Sequence, residues 1–249
     1  MCYDISYMTK KAVKYANYYG FPVEEVEEYI NSIFPGYHAS AFTHPDIPVV
    51  TNESPHKFQS FTWGLIPPWV KDPATAAKMQ VQTLNARGEN IFEKPAFRAA
   101  AANKRCLVVV DGFFEHHWFN KNAYPFYIKM KNDDPFSLAG LWENWWHQGI
   151  ERNTVSIVTT AANALMTRIH NKPKASEGHR MPLIVPRDLH GEWLKPINDP
   201  LDKQSLTEMI RAYDEEELVA FTVPKLRGKS AVGNNPEACG EVKYQELIF

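Results

Sequence analysis

The sequence has no long apolar run and few cysteines. None of its apolar stretches approaches the roughly 18 residues that a membrane-spanning helix requires, and no charged-then-apolar leader is present. The 249 residues include three cysteines, Cys2, Cys106 and Cys239, without a Cys-x-x-Cys pair. This count argues against a disulfide framework and against a structural zinc site. We therefore expect a soluble, cytoplasmic protein that needs no metal and no other cofactor.

A strong imbalance of charge is also missing. The formal net charge is -2, so the molecule as a whole is not a polycation that nucleic acid would attract. Basic residues nevertheless concentrate in 71–105, whereas acidic residues gather at 24–28 and at 214–217. This segregation is compatible with one basic face on a nearly neutral protein.

The pattern of apolar residues predicts an α+β fold. Val23, Val26, Ile30 and Ile33 recur at helical spacing and predict a helix over 23–34. Segments rich in β-branched and aromatic residues predict strands at 59–65, 106–119, 124–130, 136–146 and 154–160. Shorter helices are expected near 96–103, 163–169, 187–195 and 203–212. Because the strands mostly follow one another, we predict a single domain over 1–249, built on mixed, largely antiparallel sheet with peripheral helices.

Cys2 has the most distinctive chemistry in the chain. The initiator methionine is generally removed ahead of a small second residue, so the mature chain would carry an amine and a thiol on adjacent carbons. Their reference pKa values, about 7.7–8.0 and about 8.5, leave part of each group nucleophilic near neutral pH. An amine forms a Schiff base with an aldehyde, and the thiol can then close a five-membered thiazolidine. The alternative is a cysteine in a frayed terminus.

Two short motifs have the composition of a single-strand binding surface. The Pro67-Pro68-Trp69 turn holds an indole ring rigidly, and such a ring can stack on an unpaired base. Trp63 is better explained as a core residue, and a core position remains open for Trp69 as well. Asn85 and Arg87 share a face if their segment is extended, and together they suit a phosphodiester or a sugar. The alternative for Arg87 is an exposed loop position.

Several further residues could move protons or bind phosphate. Glu115 ends a strongly apolar run, where desolvation would raise its pKa and suit it to proton transfer. Alternatively, the strand has reached the surface there. His170 and His179 are both candidate acids or bases, although single histidines are more often structural or solvated. At the end of a predicted strand, either Thr159 or Thr160 could donate a hydrogen bond to a phosphate.

Six motifs follow one another along nearly the whole chain. They are Cys2, Trp63-Gly64 with Pro67 and Trp69, Asn85-Ala86-Arg87, Gly112-Phe113 with Glu115, Ile169-His170, and Arg180-Met181-Pro182. In this order they resemble the SOS response-associated peptidase (SRAP) family. The resemblance implies a mixed α/β domain, loss of Met1, and a thiazolidine link from Cys2 to the ring-opened sugar of an abasic site in single-stranded DNA.

The same resemblance implies a role for each matching residue. Asn85 would orient the amine and the sugar, Glu115 would move protons, and His170 would act on the sugar oxygen. The residues expected to contact DNA are Trp69, Arg87, Thr159 and Arg180. The expected partner is therefore single-stranded DNA that contains abasic sites, bound by a monomer.

The chain departs from the family pattern at three places. Members often begin Met-Cys-Gly-Arg, whereas here Tyr3 and Asp4 follow the cysteine, and an acid replaces an expected phosphate contact. His116 follows Glu115 where a tryptophan is common. An insertion, 171–179, separates the Ile-His and Arg-Met-Pro motifs. Its loop-like composition tolerates changes of length, so we assign the family histidine to His170, before the insertion, and not to His179.

Two other functions remain open. An N-terminal-nucleophile amidohydrolase or cysteine peptidase could use Cys2, His170 and Asn85, because a cysteine with a histidine and an amide is peptidase-like chemistry. A non-catalytic module could bind single strands through Trp69 and the basic segment 71–105. The module would not need a free N-terminus, which distinguishes it from both enzymes.

Overall fold

The computed structural model describes residues 2–172 and 178–247, and within them it contains 13 strands and seven α-helices. The strands are β1 (Asp4–Tyr7), β2 (Gly36–Ser40), β3 (Asp46–Thr51), β4 (Ser54–Trp63), β5 (Asn85–Arg87), β6 (Arg105–Val110), β7 (Gly112–Phe119), β8 (Asn122–Met130), β9 (Phe136–His147), β10 (Ile150–Ala161), β11 (Arg180–Pro182), β12 (Ile184–Val185) and β13 (Leu218–Thr222). The helices are α1 (Ala12–Tyr19), α2 (Val23–Ser32), α3 (Pro73–Gln82), α4 (Arg98–Asn103), α5 (Ala164–Ile169), α6 (His190–Leu194) and α7 (Pro200–Glu208). The predicted α+β class is confirmed.

The strands form two sheets. The five-stranded sheet has the order β13-β8-β7-β1-β2, and the eight-stranded sheet has the order β11-β10-β4-β3-β6-β9-β12, with β5 paired to β10. Because β9 also pairs with β10, the strands β10, β4, β3, β6 and β9 close into a ring. Closure leaves those strands without an open edge. Neighbouring strands are largely antiparallel, as predicted, and β10 runs parallel to β4 and β5.

The start of the chain is part of the core. Cys2 and Ile5 are fully buried in the same apolar cluster as Trp63, Val108 and Phe113. Strand β1 lies between β2 and β7, so its backbone is paired on both sides. The alternative of a frayed terminus at Cys2 is therefore wrong. Fraying would expose buried side chains and break the pairing of β1 with both of its neighbours.

The predicted strand 106–119 is two strands that belong to different sheets. The break falls at Asp111, whose buried carboxylate accepts hydrogen bonds from the backbone N–H of Thr9 at 2.8 Å and from the Tyr15 hydroxyl at 2.7 Å. Gly112 follows, and a Cβ at this position would lie 2.3 Å from the Tyr127 ring. A buried acid and an obligatory glycine thus turn the chain from one sheet into the other, a change that apolar periodicity does not reveal.

Several other helices and strands differ from those predicted. Helix α7 begins at Pro200, earlier than predicted, because the Asp199 side chain accepts from the N–H groups of Leu201 and Asp202. The predicted helix 187–195 is a 3-10 turn followed by α6. Strands β1, β2 and β3 were not predicted. Part of the 171–179 insertion, including Lys174, lies outside the described residues. In the part of the chain that is described, no helix is long and apolar enough to cross a membrane.

Candidate active site

Cys2 is buried, and its backbone carbonyl is bound by a side chain. Its thiol is buried, and the side-chain amide of Asn85 donates a hydrogen bond of 2.8 Å to its carbonyl oxygen. Burial raises the pKa of the Cys2 thiol well above its usual range, and the negative charge of Glu115 raises it further. In the chain with Met1 present, the thiol is therefore protonated near neutral pH.

Strand β5 places Asn85 and Arg87 on one face. The strand pairs in parallel with β10, with Asn85 opposite Ile157, and the intervening Ala86 is buried in the core. Asn85 and Arg87 line the same cleft as Trp69. The Oδ1 atom of Asn85 is buried and has no hydrogen-bond partner among the described residues. An acceptor of this kind carries a free-energy cost unless a ligand group binds to it.

Glu115 and His170 come together from β7 and the end of α5. The Nδ1 atom of His170 lies 3.5 Å from Oε1 of Glu115. Helix α5 is fastened to β7 by Asn171, whose side chain accepts from the backbone N–H of Trp118 at 2.7 Å and donates to its carbonyl at 2.9 Å. Burial raises the pKa of the Glu115 carboxyl to about 7. Near neutral pH this carboxyl is present in both protonation states, as proton transfer requires.

His179 lies beside this pair. Its ring centroid is 6.3 Å from that of His170, and its backbone carbonyl accepts from Ala162 at 3.0 Å. His170 is the histidine that faces Glu115. The choice between the two histidines stays a prediction, and the geometry gives His170 the direct contact.

The two tryptophans of the first aromatic motif have different environments. Trp63 is fully buried, and its indole N–H donates to the carbonyl of Leu84 at 2.8 Å. Trp69 is 52% exposed on the rim of the cleft that Arg87 and Lys94 also line. Trp63 is therefore a core residue, whereas Trp69 is accessible to a ligand.

Thr159 and Arg180 bind each other and are not presented to solvent. Thr159 is fully buried, and its hydroxyl accepts from Nε of Arg180 at 3.2 Å. The Arg180 guanidinium also donates two hydrogen bonds to Glu89, of 3.1 Å and 2.7 Å. A phosphate that binds Arg180 must therefore compete with a bidentate carboxylate.

The basic segment 71–105 does not form one face. Arg105 is buried, and its guanidinium donates to the carbonyls of Trp193 at 2.8 Å and Ala101 at 2.7 Å. Lys104 forms an ion pair with Glu143. Of this segment, Arg87 and Lys94 line the cleft beside Trp69.

A second cleft contains residues that sequence reasoning missed. It has a volume of about 410 Å³, and Glu115 and His170 line it together with Lys225 and Arg227. The run PKLRGK at 224–229 alternates basic residues with others and was the available signal. The described residues contain no group of three or more His, Cys, Asp or Glu side chains placed to hold a metal ion.

The fold and the site define a class of protein: an α+β domain that buries the second residue, a cysteine, beside an asparagine and near a glutamate–histidine pair. The family model for the SOS response associated peptidase (SRAP) matches residues 1–230. This chain belongs to that family.

Curated relatives carry one functional name. Over 180 residues the chain is 38% identical to the abasic site processing protein YoaM of Bacillus subtilis, covering 72% of this chain and 73% of the relative. It is 35% identical over 206 residues to the abasic site processing protein YoqW of the same organism, covering 81% and 85%. The abasic site processing protein HMCES of Xenopus tropicalis is 30% identical over 146 residues, which is 51% of this chain and 41% of that protein.

Solved structures agree on the fold. A crystal structure of a protein from Bacteroides thetaiotaomicron is 34% identical and superposes with a TM-score of 0.83, covering 97% of this chain and all of the other. A crystal structure of a Bordetella bronchiseptica protein has a TM-score of 0.72 at 21% identity and covers 89% of this chain and 99% of the other. The second likeness concerns the fold alone.

Proposed function

We propose that this protein processes abasic sites in single-stranded DNA by forming a covalent thiazolidine on Cys2 after Met1 has been removed. The observation that carries the proposal is that Asn85 binds the carbonyl of buried Cys2, while the charge of Glu115, which faces His170, acts on the Cys2 thiol. The names of the relatives supply the substrate class.

The reaction balances without an oxidant or a metal. The amine of mature Cys2 adds to the aldehyde carbon of the ring-opened deoxyribose and gives a carbinolamine, which loses water to form an imine. The thiol then adds across the C=N bond, with sulfur bonding to carbon and the proton passing to nitrogen. Each step moves a proton, and the Glu115 carboxyl, with its pKa raised to about 7, is suited to donate and accept it.

The neighbouring residues have separate tasks in this scheme. The buried Oδ1 of Asn85 offers an acceptor to the amine or to a sugar hydroxyl. His170 lies against Glu115 and reaches the same cleft, where it can bind the sugar oxygen. Trp69 offers an exposed ring to a base, and Arg87 a cation to the backbone.

The environment of the Cys2 thiol weighs against a cysteine peptidase. That mechanism needs a thiol that a neighbouring imidazole readily deprotonates, whereas burial and the negative charge of Glu115 raise the pKa of the Cys2 thiol. A thiol that stays protonated until it adds to an imine is consistent with thiazolidine formation.

The test is a crosslinking assay on protein whose loss of Met1 has been verified by intact mass. Incubation with a single-stranded oligonucleotide that carries one abasic site should give a heat-stable band on a denaturing gel. Its mass should equal protein plus DNA minus one water, because imine formation expels water and ring closure expels nothing. Protein that retains Met1 or an upstream tag should give no band. Turnover of amide substrates without an adduct would instead favour the amidohydrolase.

A further inference from the structure

The cleft beside Glu115 and His170 is bounded by the segment that follows β13. Lys225 and Arg227 form this wall, and neither was among the predicted DNA-binding residues. They lie on a different cleft from Arg87, and the two clefts share no lining residue. Cys2 is connected to both, through its hydrogen bond with Asn85 on one side and the charge of Glu115 on the other.

Arg227 is bound to the first residue of β1, two positions after Cys2. Its guanidinium binds Oδ2 of Asp4 at 2.6 Å, and the other oxygen of this buried carboxylate contacts Nε2 of His38 at 2.9 Å. The Arg227 side chain remains 49% exposed. Since a guanidinium has five N–H donors, the one hydrogen bond with Asp4 orients the group and leaves its remaining donors for a ligand. Asp4, which appeared to remove a phosphate contact, thus holds a cation at the same end of the site.

An exposed aromatic step adjoins this cation. The Arg227 guanidinium carbon lies 5.2 Å from the ring centroid of Phe42, which is 54% exposed. Phe42 in turn contacts Tyr3, with 5.0 Å between the ring centroids. An exposed ring can stack on an unpaired base, and a guanidinium beside it can bind a phosphate of the same strand.

Lys225 adds a second cation to the same wall. Its ammonium group donates to the carbonyl of Ala123 and lies 4.5 Å from the ring centroid of Tyr124. Lys172 also lines this cleft, with its ammonium group 4.3 Å from the ring centroid of Trp118. Three cations thus line the cleft together with one acid, Glu115, so its charge favours a polyanion.

We propose that Lys225 and Arg227 bind a backbone phosphate on one side of the abasic nucleotide, with Phe42 stacking on the adjacent base. This inference rests on the proposed function and adds a subsite to it. Arg87 and Trp69 then bind the strand on the other side, so that the strand crosses Cys2 from one cleft to the other.

Reversible binding tests the subsite directly. The probe is a single strand with a tetrahydrofuran residue, an abasic analogue that has no aldehyde and cannot react with Cys2. In a set of such strands, one linkage at a time is replaced by an uncharged methylphosphonate. The native protein should lose affinity several-fold at one linkage on each side of the analogue.

The variants assign each linkage to a cleft. The Lys225→Gln/Arg227→Gln double variant should bind the unmodified strand about tenfold more weakly, with a salt slope less steep by about 0.7 for the lost phosphate. A methylphosphonate at one of the two linkages should no longer weaken binding by this double variant. A methylphosphonate at the other linkage should no longer weaken binding by Arg87→Gln. Lys229→Gln, an exposed lysine on the same segment, is the matched control and should keep the native profile.

Two outcomes are decisive. If the double variant keeps the native affinity and both sensitive linkages while the native protein still forms the adduct on aldehyde-containing DNA, the subsite is absent and the proposed function stands. If the native protein forms no adduct, the proposed function fails instead.

Because Arg227 also contacts Asp4, Phe42→Ala gives a second test on an exposed side chain. This variant should bind the strand several-fold more weakly. Removing the flanking base from the DNA should weaken binding by the native protein to the same extent. If Phe42→Ala keeps the native affinity, the subsite is likewise absent.

Discussion

Glu115 and His170 lie 3.5 Å apart, measured from Oε1 to Nδ1, and they belong to elements that are distant in the sequence. The contact exists because Asn171 fastens the end of α5 to the backbone of Trp118 on β7. A carboxyl that burial keeps near its titration point thereby faces an imidazole at the edge of a cleft. In the proposed reaction, this pair moves protons beside Cys2.

Replacing Glu115 with Gln should slow both formation and reversal of the adduct. Glutamine keeps the size and the hydrogen bonds but cannot exchange a proton, and loss of a general acid or base typically costs about 10²–10⁴ in rate. Single-turnover assays in both directions measure the effect, with the exposed Glu241→Gln as control. Native rates in both directions would make Glu115 a structural residue.

The pH profile gives a separate signature of the same group. The acid form of Glu115 is lost as the pH rises through about 7, while the N-terminal amine, with a reference pKa of about 7.7–8.0, becomes neutral over the next unit. If the acid form protonates the departing hydroxyl, the formation rate should peak near pH 7 to 8 and fall above it. Glu115→Gln should keep the rise and lose the fall.

Cys2→Ser should abolish the stable adduct but largely preserve reversible DNA binding. The hydroxyl still permits an imine, whereas closure by oxygen is much less favourable than closure by sulfur. The matched control is Cys239→Ser, which changes a half-buried thiol that donates to the carbonyl of Tyr37 at 3.3 Å. It should crosslink at the native rate. A heat-stable band with Cys2→Ser would contradict the thiazolidine mechanism.

Trp69→Ala should weaken binding to single-stranded DNA by roughly 1–3 kcal/mol if a base stacks on the indole. Trp146, which is 65% exposed near the end of β9 and lines neither of the two clefts, is the matched control. Its replacement by Ala removes an exposed indole outside the clefts and should leave affinity unchanged. Fluorescence anisotropy with an unmodified single strand measures both. If both variants lost the same binding free energy, the loss would come from any exposed aromatic side chain and not from base stacking on Trp69.

Arg105→Lys should destabilise the fold without affecting DNA contacts. Burial lowers the pKa of Arg105 to about 10, so the group stays charged, and its guanidinium joins the end of α4 to the end of α6. A single ammonium group cannot reach all of these carbonyls, and the unsatisfied acceptors should cost about 2–4 kcal/mol of unfolding free energy. Urea unfolding measures the change, and the exposed Arg98→Lys should stay within about 0.5 kcal/mol of the native value.

The sequence was sufficient for the fold class and for the strands whose apolar or aromatic content is high, such as β9 and β10. It was insufficient where a single buried polar contact decides the geometry. The break at Asp111 depends on Thr9 and Tyr15, which lie about a hundred positions away in the chain. No local pattern records such a partner.

The candidate site shows the same division. Cys2, Asn85, Glu115 and His170 stand in recognisable motifs, so their residue types and order nominate them as candidates, and their roles stay predictions. The pairing of Arg180 with Glu89 could not be predicted, because Glu89 has no special spacing to it. Arg227 was missed for the same reason: its significance comes from Asp4, 223 positions earlier.

The choice between His170 and His179 can be tested because the two rings are close but differently engaged. Their centroids are 6.3 Å apart, and His170 is the ring that faces Glu115. His170→Ala should therefore slow adduct formation or reversal tenfold or more, since the sugar oxygen loses its partner and Glu115 loses its neighbour. His179→Ala should remain within a few-fold of the native rates.

A conservative variant separates a chemical role for His170 from a packing role. His170→Gln keeps a polar side chain of similar reach, so a structural role would be restored by it, whereas a proton-transfer role would not. The two histidine variants and His170→Gln should be compared on the same abasic oligonucleotide, with thermal unfolding as the check on folding. If His179→Ala shows the large defect and His170→Ala does not, the insertion at 171–179 precedes the functional histidine, and the assignment based on strand and helix spacing is wrong.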